Sequence, residues 1–180
     1  MSNHIHFVAV RRSKDALARS LKETQGRFAS YWNAVNHSSG HVWQGRYYSC
    51  PLDGTHLWEA LRYTELNPVR ASLVASPTDW PWSSAAAHCG AEPPSPWLAS
   101  EAWGQRWSIG GWRALLQDIQ DESSQKAIRD STYIGRPLGS TEITRMLEEQ
   151  AHRPWTRQRP GPKKRSEPEA EQAILSFDPF

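Results

Sequence analysis

The sequence predicts an α+β fold of few strands followed by a helical extension, and three observations carry that prediction. Two short stretches, residues 1–10 and 41–49, have the Val, Ile and aromatic content of strands. Apolar residues recur near every 3.6 positions over about 14–32, 56–66, 111–130 and 140–151, the period of an amphipathic helix. No apolar run approaches the ~20 residues that a membrane-spanning helix needs, so the sequence predicts no membrane partner.

At 180 residues the chain has room for one ordinary domain and an appendage. A hydrophobic content of 38% with ten Trp supplies a modest, aromatic-rich core. Thirteen Pro and a mean hydropathy of −0.71 indicate many loops. Cys50 and Cys89 are too few and too far apart for a disulfide framework, which fits a reducing cytoplasm. The first residues lack the basic start and apolar stretch of a signal peptide. The net charge of +2 is unevenly spread. Residues 1–75 hold nine Lys/Arg against five Asp/Glu, and residues 76–150 hold six against ten. The six basic residues of 151–180 all precede Glu167. A basic front and tail suit a polyanion partner, and solvated surface charge explains the same layout.

Taken in order, the first stretch reads as a strand with His4 and His6 on one face, about 7 Å apart, and Ile5, Phe7 and Ala9 toward a core. Two imidazoles so placed can converge on one cation. Ser13 is positioned to cap a helix over about 14–32, whose apolar face is Leu17, Leu21, Phe28 and Tyr31/Trp32 and whose polar face carries Arg19, Lys22 and Arg27. The aromatic-rich 41–49 reads as a strand or hairpin arm kinked at Gly45. Asp53-Gly54 is a turn, with Thr55 as the cap of a helix over about 56–66. On that helix Leu57 and Leu61 share the core face, while Tyr63 and Asn67, also four apart, share another. Pro68 biases Asn67 out of the helical region, so the helix ends or kinks there, and a fresh turn follows over 69–74. Residues 78–89 hold two Trp around a Pro and then a Ser-capped, Ala-rich turn; Trp43, Trp80 and Trp82 read as core. Residues 90–96 are a linker by composition. A helix over about 111–130 follows a run of Trp, and Ser140 caps another over about 140–151. The loop Gly135-Arg-Pro-Leu-Gly139 joins them either as a helix-turn-helix-like element or as an ordinary helical hairpin. From 152 the chain is Pro-rich, basic and then acidic, the composition of a disordered tail.

Four motifs stand in order along residues 1–90: Asn3-His-Ile-His6, Trp43-Gln-Gly-Arg46, Arg62-Tyr63 followed by Leu66-Asn-Pro-Val-Arg-Ala71, and Trp80-Pro-Trp-Ser-Ser84. Together they resemble the REP-associated tyrosine transposases of the IS200/IS605 type, single-strand DNA nucleases of the HUH class. The resemblance implies a ferredoxin-like HUH domain over 1–90, a helical extension over 91–151 and a tail over 152–180. It also implies that family strands normally found upstream of the His pair are lacking here, so that the domain is expected to be N-terminally truncated, to have a misassigned start, or to take the strands from a partner chain.

By the same resemblance, Tyr63 is the catalytic nucleophile and His4, His6 and Asn67 hold a divalent cation, Mg²⁺ or Mn²⁺. The implied product is a 5′-phosphotyrosine link with a free 3′-OH, formed on single-stranded or hairpin DNA. Arg19, Lys22, Arg27, Arg46 and Arg70 are the candidate DNA contacts. The alternative is a catalytically inactive remnant that only binds DNA. Whether the protein is a monomer or a homodimer is left open by the resemblance.

Overall fold

The computed structural model describes residues 4–118, 121–152 and 154, and these form eight α-helices and one 3-10 turn. In order they are α1 (Ala16–Val35), α2 (Gly54–Glu65), α3 (Asn67–Arg70), the 3-10 turn Pro77–Asp79, α4 (Ala85–His88), α5 (Ser100–Gly104), α6 (Ile109–Gln117), α7 (Glu122–Ile134) and α8 (Thr141–Ala151). No helix among the described residues is long and apolar enough to cross a membrane. The tail expected from 152 onward lies outside the described residues apart from His152 and Pro154.

Neither predicted strand forms among the described residues. Among the described residues the β pairing consists of one isolated parallel bridge, Leu52 to Leu138. A strand exists only through the hydrogen-bonded ladder it makes with a neighbour, and residues 4–10 run without secondary structure. Ile5 and Phe7 are 53% and 65% exposed, so the face expected to meet a core faces solvent, and His6 and Val8 turn toward the body instead. Residues 41–49 are bends and coil. They are fixed from the side, since Trp43 Nε1 donates to the Gln25 carbonyl of α1 at 2.9 Å and its ring lies 5.5 Å from that of Phe28.

The helices follow the apolar period more closely, with local corrections at their ends. The residue at the N-cap of α1 is Asp15 rather than Ser13, and neither side chain closes a cap bond there. At α2 the carboxylate of Asp53 accepts from the backbone N–H of both Thr55 and His56, taking the role expected of Thr55. The turn after the break at Leu66 starts at Asn67, two residues earlier than expected. The single helix expected over 111–130 is two, because Asp118 leaves α6 with an extended ψ of 154° and Asp121 caps α7 through Ser124 N–H. Ser140 caps α8 through Ile143 N–H as predicted.

The core joins α2 to the later helices. Cys89, Trp112 and Leu116 are buried together, with Trp58, Leu61, Leu66, Trp103, Trp107 and Leu115 packed on them. Trp112 is fully buried and meets Trp107, Trp103 and Trp58 edge to face at 5.2, 6.1 and 6.4 Å. Trp82, by contrast, is 84% exposed, which corrects its expected place in the core.

Through the middle of this core runs Glu65, which is 0% exposed. Its Oε1 accepts from Ser84 Oγ and from His88 Nδ1, each at 2.5 Å, and its Oε2 accepts from Trp112 Nε1 at 2.8 Å. His88 in turn stacks on Trp103 with ring centroids 4.9 Å apart. A buried carboxylate is tolerated only when its oxygens are satisfied, and these three donors satisfy both. One residue of α2 thereby ties together the segment before α4, α4 itself and α6.

A second clasp joins the start of α2 to the loop before α8. Asp53 Oδ2 accepts from Ser140 N–H at 3.0 Å, Asp53 N–H donates to Leu138 O, and Leu138 N–H donates to Pro51 O. Gly139 lies in this clasp because a Cβ there would stand 2.9 Å from Asp53 Oδ2. Gly135 ends α7 with φ of 70°, the left-handed cap that glycine adopts without strain.

Candidate functional site

The candidate site is built where the extended N-terminal segment crosses the junction of α2 and α3. The junction is set by Pro68, which has no N–H to extend the hydrogen-bond ladder of α2. Leu66 closes α2 through its N–H to Arg62 O, and Asn67 opens α3 in the next position. Because the break is so small, Tyr63, Asn67 and Arg70 keep the i, i+4, i+7 spacing of one helix face. All three are wholly or partly buried, at 8% exposure for Tyr63 and 9% for Asn67.

Onto this face comes His6. Its ring centroid lies 6.1 Å from that of Tyr63, edge to face, and 5.0 Å from that of His4. His6 is half-buried and His4 is exposed. Burial lowers the His6 pKa from its ordinary value, and His4, Arg70 and the N-terminal amine add to that by charge repulsion. A neutral imidazole, the form that ligates metals, is therefore favoured at His6.

Arg70 closes the group. Its guanidinium lies over the Tyr63 ring, Cζ to centroid 4.0 Å. Its Nη2 donates to the Tyr63 carbonyl at 2.5 Å and makes a long contact of 3.4 Å with Asn67 Oδ1. Burial lowers the pKa of Arg70, while charge and hydrogen bonding with the Tyr63 side chain pull it back up. Arg129, on α7, adds a like charge that also lowers it. Sequence reasoning did not single out Arg129; its link to the site depends on how α7 packs on α2, which no local motif encodes.

Asn67 has one partnered and one unpartnered end. Its Nδ2 is buried with no hydrogen-bond partner, and its Oδ1 has in Arg70 only a contact beyond the usual 2.7–3.2 Å range. The two ends of an amide are chosen from their partners, and the Arg70 donor sets the oxygen on its own side. Two imidazoles and an amide oxygen are then the available donors. Among the described residues no group of three or more His, Cys, Asp or Glu gathers at a single point.

The structure thus links His4 to His6, His6 to Tyr63, and Tyr63 and Asn67 to Arg70, across two parts of the chain some sixty residues apart. The remaining candidate DNA contacts lie elsewhere. Arg19, Lys22 and Arg27 are exposed on α1, where Arg27 pairs with Glu23 at 2.7 Å, and Arg46 is exposed in the coil after α1. The Trp-Pro-Trp-Ser-Ser84 motif contributes to the fold, since its Ser84 donates to Glu65. His88, which no spacing marked, is a partner of that same carboxylate. Comparison with known protein families, curated proteins and solved structures finds no match to this chain.

Proposed function

We propose that the chain acts on single-stranded or hairpin DNA as a tyrosine-dependent, metal-assisted nuclease of the transposase type, on a domain of the HUH class. The observation that supports this most is the meeting of the His4–His6 pair with the Tyr63–Asn67–Arg70 face. Chance placement of a His-x-His segment gives no reason for it to lie against the one tyrosine that is followed by Asn-Pro-Val-Arg.

The donor set fits a divalent cation. The imidazoles of His4 and His6 and the Asn67 amide oxygen are borderline and hard donors of the kind that Mn²⁺ and Mg²⁺ accept. When bound, such an ion polarises a phosphoryl oxygen and offsets developing negative charge. The chain's own residues supply the rest. Tyr63 Oη forms a bond to phosphorus, and the phosphorus–O3′ bond breaks. The phenolic proton passes to water and the departing 3′ oxygen takes one from water, leaving a 5′-phosphotyrosine and a free 3′-OH. Arg70 gives the site the positive charge that a phosphodiester requires.

The test is covalent capture. A pool of labelled hairpin oligonucleotides with randomised single-stranded flanks, incubated with Mg²⁺ or Mn²⁺, is expected to give a protein–DNA adduct that survives denaturing gels. Tyr63→Phe is expected to abolish the adduct and leave hairpin binding within about twofold. An adduct retained in that variant excludes Tyr63 as the nucleophile. The second reading, DNA binding without cleavage, draws support from the 8% exposure of Tyr63. Its signature is salt-sensitive hairpin binding that EDTA leaves unchanged, with no adduct.

A further inference from the structure

We propose that Arg70 is the positioning residue of Tyr63, a clamp that holds nucleophile and amide in one geometry rather than a general contact to the DNA backbone. The inference rests on the tyrosine-nuclease reading above and assigns within it a role that charge alone would not.

Three observations converge on it. The guanidinium covers one face of the Tyr63 ring at 4.0 Å, which fixes the ring's rotation about its own axis and its tilt from the helix. The same group donates to the Tyr63 carbonyl, which stands in the last turn of α2 beside the break that Pro68 makes. The same nitrogen, Nη2, also stands 3.4 Å from Asn67 Oδ1, so one guanidinium lies against both Tyr63 and Asn67.

A lysine reproduces the charge and none of the planar geometry. Arg70→Lys is therefore expected to bind the hairpin pool within about threefold of the wild type and to form adduct on the order of a hundredfold more slowly, the size of loss that misplacing a reacting group produces. Because Arg70 also caps a helix end, loss of folding must be separated from loss of positioning. Arg70→Gly supplemented with free guanidinium ion serves this purpose, with recovery of adduct formation expected at an unchanged melting temperature. A third readout needs no catalysis. Nitration of Tyr63, mapped by peptide mass, is expected to rise in Arg70→Gly as the covered ring face opens and to fall again with guanidinium.

The outcomes separate. Wild-type adduct formation with unimpaired Arg70→Lys and unchanged Tyr63 nitration overturns the clamp and leaves the nuclease reading intact. Absence of wild-type adduct with either cation overturns the nuclease reading and, with it, the catalytic meaning of the clamp. A slow Arg70→Lys, rescued Arg70→Gly and guanidinium-sensitive nitration together sustain both.

Discussion

Two faces of the same helix turn treat their polar groups in opposite ways. On one face of α2, Glu65 is fully buried and each carboxylate oxygen has a donor, from Ser84, His88 and Trp112. Two residues away on either side, Tyr63 and Asn67 are almost as buried, yet the Asn67 amide keeps one end without a partner and its other end has only a long contact. The first face is a closed network, in which adding a ligand could only break bonds. The second has capacity left over. Burial alone therefore does not separate structural from functional polar residues in this protein; saturation does.

The largest expected effect breaks the closed face. Glu65→Ala deprives three donors on three separate segments of this partner, the His88 and Trp112 donors being buried, and opens space beside Trp112. The expected loss is about 4 kcal/mol, a large share of the 5–15 kcal/mol that ordinary domains possess. Urea unfolding followed by Trp fluorescence measures it. Tyr63→Phe, one short step along the helix, keeps the ring under Arg70 and is expected to stay within about 1 kcal/mol of wild type in the same assay. Comparable losses in the two variants would erase the distinction between the faces.

How much of this was legible in the sequence follows from the range of the forces involved. The helices were read because their apolar period is local, and the cap at Ser140 and a break near Pro68 because a single residue's chemistry decides them, although the break falls at Leu66 and Asn67 is itself helical. The split between α6 and α7 was missed although residues 120–126 hold no apolar residue, and Asp121 caps the new helix within that polar stretch. The meeting of His6 with Tyr63 was anticipated through resemblance of motifs, not through any periodicity. Glu65 was invisible as a hub: its partners are 19, 23 and 47 residues further on, and an isolated Glu on a helix reads as solvent-facing. Sheet content was overread because strand composition in 4–10 and 41–49 says nothing about whether a partner strand is present.

An intermediate effect probes the second clasp. The Asp53 carboxyl is held down to about 2, chiefly by the His56 backbone N–H, with the His56 ring and Ser140 N–H adding to it. Its folded value lies below the unfolded one of about 3.9, so its stabilising contribution is complete above roughly pH 4 and is lost as pH falls toward 2. Asp53→Asn retains a capping oxygen but no titrating charge, and is expected to flatten that part of the acid limb in thermal melts from pH 5 to 2. Asp53→Ala removes the cap as well and is expected to cost about 1 kcal/mol at pH 7. An unaltered acid limb in Asp53→Asn would detach the clasp from the protein's pH response.

The smallest expected effect concerns the segment that carries the His pair. Were residues 4–10 a strand packed on a core, Phe7→Ser would remove a buried aromatic ring and cost about 3–5 kcal/mol. In the structure Phe7 is 65% exposed and Ile5 is 53% exposed, so Phe7→Ser and Ile5→Ser are each expected to change stability by less than about 0.5 kcal/mol. What holds the segment is on its other side, where His6 meets Tyr63 edge to face. His6→Ala should consequently free the segment without unfolding the helices, and amide exchange over residues 5–9 should speed up while that of α2 and α6 does not. A cost above 2 kcal/mol for Phe7→Ser would mean instead that the segment finds a covering surface in solution. The His pair would then be held by packing of its apolar face, and the weak tether through His6 would not be what places it at the site.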